Sequence, residues 1–359
     1  MSSAKAPLPP AIPWQAFLAL ISTDLDAVKT SLKAIIPPQT DILADSISGS
    51  LNSGGKYLRP AITLLSGKAL SESNSASKTT DANLKMRHLS DVAAVSEMIH
   101  VATLLHDDVL DEADLRRGKT TIRAALGNKI SVLSGDYLLA QASLKLAQLG
   151  NTRLVSIYAQ VLADLCDGEV AQMTGSYDLA SPIEQLWERY RHKTYCKTAS
   201  LFAAGCEAAG VVYGLCENDI QALRNFGTQF GMAFQVADDL LDYTSSEETM
   251  GKPVLGDLRH GLLNAPILLA LTSNHLSQDE QKALANDLGT ILARSPQDIE
   301  DAQLSPVLAW LEKAQAIAKT RDLIEEHTQN AIGSLAFLPE SDSKTALTRL
   351  AQGVSSRNA

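Results

Sequence analysis

Two aspartate triplets constrain this chain more than any other feature. They are Asp107-Asp108-x-x-Asp111 and Asp238-Asp239-x-x-Asp242, and each follows a run of apolar residues at three- and four-residue spacing. Residues four apart on an α-helix lie about 40° apart around its axis, so the first and last carboxylates of each triplet share a face. Carboxylates crowded on one face repel unless cations occupy the site. Two such triplets on separate helices can face each other across the core of a bundle.

The remaining sequence agrees with an all-α fold. Apolar residues make up 45% of the 359 positions, enough for a substantial core, while aromatics reach only 5% and Ala and Leu recur. That mixture favours closely packed helices over a β-sandwich. Breaks fall at Pro37-Pro38, residues 71–80, Gly150-Asn151, 176–182 and 245–257. No sustained alternation or hairpin signal lies between them, so few strands are expected. The expected organisation is a flexible Pro-rich arm over residues 1–13 and a single all-helical domain over 14–359.

Forty-one acidic against 31 basic residues give a net charge of -10, which weighs against a nucleic-acid partner. Cys166, Cys196, Cys206 and Cys216 form no C-x-x-C pair, and the last three, ten residues apart in helical sequence, are expected to pack in the core. No apolar run approaches the roughly 20 residues of a membrane helix. The first 14 residues show neither signal nor transit character. A soluble cytoplasmic protein is expected, with an organelle stroma or matrix as the alternative if a transit peptide was removed.

The residues around the triplets add anion chemistry. Hard carboxylate oxygens suit Mg²⁺, which typically uses one or two carboxylates, waters and substrate phosphates. An EF-hand is excluded, because the alternating ligands and central Gly are missing. Arg116 and Arg117 follow the first triplet, and guanidinium groups match phosphate oxygens bidentately. Gln235 precedes Asp239 by four residues and should face the same site, while Lys252 and Asp257 follow in a loop able to cover it. In GGKYLRP, Lys56 and Arg59 stand three residues apart at a helix start and form a second phosphate clamp. This is not a Walker A loop. His100, nearly two turns before Asp107, could join that clamp or be structural; Lys197 and Thr198 could be an ordinary exposed turn.

Assembled in order, GGKYLRP, EMIH, LLHDDVLDEADLRRG, GDYLLAQ, DGEVAQ, KTASLF, FQVADDLLD and GKPVLGDL resemble the trans-isoprenyl diphosphate synthases over roughly residues 40 to 355. Within that family the segments are most similar to long-chain polyprenyl synthases of the solanesyl or other quinone side-chain type. The resemblance implies an isoprenoid synthase-type helical bundle with a central active-site cavity. It also implies a homodimer that joins isopentenyl diphosphate to an allylic diphosphate. Asp107, Asp108, Asp111, Asp238 and Asp242 would hold a cluster of about three Mg²⁺ ions on the allylic diphosphate, with Asp239 in support. Arg116, Lys197 and Lys252 would contact that diphosphate, and Lys56, Arg59, His100 and Arg117 would grip isopentenyl diphosphate. Thr198 and Gln235 would steady the allylic cation.

The chain departs from the family at Tyr57, where Arg is common, and at Leu255, where Gly is usual. Leu262 stands where many relatives have Lys, and Asn264 where Thr is frequent. Product length should depend on the helix face below the first triplet. Ala102 and Thr103 lie about one turn down and Ser96 three turns down; none is aromatic, which leaves a deep column open. Tyr158, on the face of Glu169, is a candidate floor or an ordinary core residue. Rival readings are a shorter-chain geranylgeranyl synthase and a non-catalytic subunit of a heteromeric synthase. A class I terpene cyclase generally has an Asn/Ser/Glu motif second, which the second triplet argues against.

Overall fold

The computed structural model describes residues 18–36, 40–51, 57–73, 80–116, 118–174, 181–244, 255–294 and 298–355, together with Leu179. The Pro-rich arm, Lys56, Arg117 and Lys252 lie outside the described residues. The chain begins with α1 (Ser22–Ala34), α2 (Asp41–Leu51), α3 (Leu58–Ser73) and α4 (Thr80–Leu110). Next come α5 (Ile122–Leu126), α6 (Asn128–Gln148), α7 (Thr152–Thr174) and α8 (Ile183–Thr194). A single π-helical turn, Tyr195–Ala199, joins α8 to α9 (Ser200–Tyr213), and α10 (Glu217–Thr244) follows. The rest comprises α11 (Gly256–Arg259), α12 (Ala265–Leu271), α13 (Gln278–Leu292), α14 (Asp301–Lys313), α15 (Ala316–Ser334) and α16 (Asp342–Ser355). Among the described residues the only strands are β1 (Leu115–Arg116) and β2 (Lys119–Thr120), a short antiparallel ribbon.

The bundle is built around α9. Every residue from Ser200 to Gly210 is buried, as a helix that is apolar on all sides must be. It packs against α3, α4, α7 and α10, and α10 in turn against α15. α4, the longest element, also touches α1, α3 and α6. The triplet-bearing helices α4 and α10 therefore both pack against α9. Cys196 and Cys206 lie in this core as expected, but Cys216 is exposed. It falls in the turn after the left-handed Gly214, where its carbonyl accepts the Ile220 N–H at the start of α10.

Small residues set the spacing of α10 from its neighbours. A Cβ added at Gly231 would stand 2.5 Å from the Ala199 Cα and 2.8 Å from its Cβ. Backbone cannot withdraw from such an overlap as a flexible side chain would. Gly231→Ala should therefore destabilise the fold by about 1–3 kcal/mol despite the better helix propensity of Ala, as read from the midpoint of urea unfolding.

Candidate active site

The first triplet closes α4. The Asp111 N–H still donates to the Asp107 carbonyl at 2.8 Å, so the two residues keep their helical spacing. Asp108 takes a different direction: it is buried and accepts the Arg116 Nε at 2.7 Å. The β1–β2 ribbon presents that arginine. Burial pushes the Asp107 carboxyl up to about 6; Lys197 opposes the rise, Glu169 and Asp111 add to it, and Arg116 opposes it. Asp111 is raised by burial and by Glu169, against Lys197, Arg116 and His260.

The π-turn brings the rest of the site to this face. A π-turn widens the helix by one residue and often occurs at functional positions. Here it sends consecutive side chains to two places. The Lys197 ammonium pairs with Glu169 on α7 and donates to the Gln172 Oε1 at 3.1 Å. Thr198 is buried and donates its hydroxyl to the Gln235 Oε1 on α10 at 2.8 Å. Neither is part of an exposed turn. One turn of chain thus links the helix carrying DGEVAQ, the field at the first triplet and the second triplet.

Each member of the second triplet has a different environment. Asp238 is half-buried, and its charge reaches Arg59. Asp239 is buried within the protein's own hydrogen bonds: it accepts from the Tyr190 hydroxyl at 2.6 Å, the Gln235 amide at 3.0 Å and the Ala265 N–H at 3.3 Å. Burial, then the charge of Asp257, pushes it to about 6. Asp242 is also buried, and its two oxygens accept the N–H groups of Gly256 (3.1 Å) and Asp257 (3.0 Å). It therefore anchors the start of α11.

Two sequence departures belong to this anchor. Leu255 has φ +59°, a left-handed conformation that is unfavourable for a side chain with a Cβ by roughly 1–2 kcal/mol. Its side chain is buried, and its N–H donates to the Asp242 carbonyl at 3.1 Å. Burial and this bond offset the conformational cost. Asn264 is buried as well, accepting from the Tyr243 hydroxyl at 2.9 Å and donating to Asp257 at 3.1 Å. Both departures thus fit the backbone around Asp242.

Arg59 stacks over the Phe202 ring, its Cζ 4.7 Å from the centroid. Burial lowers its guanidinium to about 10, against the charges of Glu97 and Asp238, so it stays cationic at neutral pH. Its buried Nε has no hydrogen-bond partner among the described residues. His100 is half-buried on α4, and its carbonyl accepts the Thr103 hydroxyl at 2.8 Å. Lower on α4, Ala102 and Ser96 are buried, and Ser96 Oγ lies 2.7 Å from the Tyr158 hydroxyl of α7. The pair expected at the deep end of the column is therefore joined directly.

Asp107, half-buried, and Asp111, exposed, supply hard oxygens at the end of one helix, and the raised carboxyls of both are in a state that a divalent cation would relieve. The donor set fits Mg²⁺. Sequence reasoning passed over Tyr190, Gln172 and the backbone of Gly256 and Asp257. These residues act through partners distant in sequence; Gln172, Gly256 and Asp257 lie within DGEVAQ and GKPVLGDL, but nothing local in those segments gives their contacts.

Residues 40–303 match the family model described as polyprenyl synthetase. Solanesyl-diphosphate synthase 1, mitochondrial, of Oryza sativa subsp. japonica is 35% identical over 92% of this chain and 74% of its own. A decaprenyl diphosphate synthase from Rhodobacter capsulatus superposes with a TM-score of 0.81 at 30% identity, covering 96% of this chain and 98% of that one. A polyprenyl synthase from Caulobacter crescentus CB15, solved with calcium and isoprenyl diphosphate, gives 0.80 at 29% identity, covering 98% and 100%.

A carboxyl raised above its usual 3.8 binds its proton more tightly in the folded state than in the unfolded one. In chelator, stability should therefore rise as pH falls from about 7 through 6 towards 4, Asp107 contributing up to about 3 kcal/mol. Asp107→Asn should flatten that slope when urea unfolding is followed against pH.

Proposed function

Because the chain belongs to the polyprenyl synthetase family and is a trans-polyprenyl diphosphate synthase by its relatives, we propose that it condenses isopentenyl diphosphate with farnesyl or geranylgeranyl diphosphate in a Mg²⁺-dependent reaction. The product in this reading is a long-chain trans-polyprenyl diphosphate, destined for a quinone side chain. The supporting observation is the π-turn, whose Lys197 charge opposes the rise at Asp107 and Asp111 while Thr198 bonds to Gln235 beside Asp239.

Mg²⁺ held by Asp107, Asp111 and Asp238, with Asp108 and Asp242 completing the set, would neutralise the departing diphosphate. Asp239 fixes Gln235 rather than standing open to the site. Lys197, Arg116 and Lys252 orient the allylic diphosphate. Arg59 is ready for the second substrate: it is charged, stacked and short of one hydrogen-bond acceptor, which a diphosphate oxygen supplies. Lys56, His100 and Arg117 complete that grip. The Gln235 Oε1 accepts from Thr198 and keeps a second lone pair for the developing allylic cation. The isopentenyl double bond attacks the cation, the new cation loses a proton to the released diphosphate, and the elongated chain is again an allylic diphosphate.

The growing chain would pass Thr103 and Ala102 and reach Ser96 and Tyr158, eleven residues or about 16 Å along α4 from Asp107. Tyr158 is the proposed floor. A second copy of the chain fits the exposed apolar stripes of α6 and α7, which include Leu133, Leu144, Val155 and Met173. Among the described residues no helix is long and apolar enough to cross a membrane, and the reading places the enzyme in the cytoplasm.

Purified protein given Mg²⁺, labelled isopentenyl diphosphate and farnesyl diphosphate should yield products beyond geranylgeranyl length, and none in chelator. Absence of turnover by the chain alone would favour a regulatory subunit; a product stopping at farnesyl or geranylgeranyl length would remove the long-chain reading. Tyr158→Ala should shift the product distribution towards longer chains with initial rates within about threefold, since it lies several turns from the acidic residues.

A further inference from the structure

A second group of metal-ligating side chains stands outside the machinery just described. Asp167 on α7, His192 near the end of α8 and Cys196 in the π-turn each offer one donor atom, all within 4.8 Å of one another. His192 and Cys196 are four residues apart and share a face of the continuing helix. Asp167 reaches them because α7 comes very close to the π-turn: a Cβ at Gly168 would lie 2.7 Å from the Cys196 Cβ. The His192 Nε2 lies 2.7 Å from the Asp167 Oδ2 and 3.7 Å from the Cys196 Sγ.

These separations suit a tetrahedral ion. Zn–N bonds of about 2.0–2.1 Å and a Zn–S bond of about 2.3 Å place the two donors about 3.6 Å apart, close to the observed 3.7 Å. The carboxylate oxygen must move outward by about 0.7 Å to reach the N–O separation of the same geometry. Asp167 and His192 are both exposed and free to make that adjustment. A mixed sulfur, nitrogen and oxygen set prefers a borderline cation over the hard Mg²⁺ suited to the triplets.

We propose that Asp167, His192 and Cys196 form a three-ligand site for Zn²⁺ or a similar borderline divalent cation, with water in the fourth position. Binding expels the thiol proton and ties α7 to the turn carrying Lys197, two residues from Glu169 on one side and next to Lys197 on the other. The site thereby reinforces, from the outer surface, the junction that the Lys197–Glu169 ion pair holds from within.

Cobalt(II) titration of the full chain in a large excess of Mg²⁺ tests this. One equivalent should produce a thiolate-to-cobalt charge-transfer band, which the oxygen ligands of the triplets cannot give, and Zn²⁺ should abolish it and raise the melting temperature. His192→Ala, on the exposed helix, should weaken binding at least about tenfold, and Cys196→Ser should remove the band. Cys166→Ser with Cys216→Ser should leave it unchanged. Absence of a thiolate band in the unmutated chain, or a band that follows Cys166 or Cys216, would overturn the proposal.

Discussion

The Lys197–Glu169 ion pair and the Thr198–Gln235 hydrogen bond hold the candidate site together through a single widened helical turn. A regular α-helix through residues 195–199 would place successive side chains about 100° apart and could not keep both contacts without changing the register of α9. That register is fixed by burial, since α9 is enclosed from Ser200 to Gly210. The extra residue is accommodated in the turn, which makes it the point where core packing and site electrostatics meet.

Around that turn the protein keeps several carboxyl groups away from water, an arrangement that is unfavourable unless each has partners. The structure satisfies them unequally. Asp108 has Arg116, Asp242 has two backbone N–H groups, and Asp239 has a phenol, an amide and a backbone N–H. Asp107 and Asp111, by contrast, are raised by burial against only partial opposition from Lys197 and Arg116. These two raised carboxyls are concentrated where a cation can neutralise them, while the partners of Asp108, Asp239 and Asp242 also tie those residues into the frame.

The sequence made the helical class legible because periodicity and scarce aromatics are local signals that tertiary packing here reinforces. The shared face within each triplet was legible for the same reason: an i, i+4 repeat specifies a face. What it could not convey was which carboxylate of a triplet points inward. Asp239 and Asp242 are satisfied by Tyr190 on α8 and by Ala265, Gly256 and Asp257 on the stretch from α10 to α12, residues brought near only by the tertiary path of the chain. The π-turn was invisible because it follows from the competing registers of α8 and α9, and KTASLF reads as ordinary helix. Cys216 was misread because periodicity continued across a turn that Gly214 interrupts.

The Ser96–Tyr158 hydrogen bond has a separate consequence. The proposed floor of the column stands on α7, whereas the triplets stand on α4 and α10. A change at Tyr158 leaves every acidic and basic group in place, and a change in those groups leaves the floor in place. On the proposal that Tyr158 sets product length, chain length and chemistry can drift independently among descendants of such a protein, one substitution at a time, without passing through an inactive ancestor.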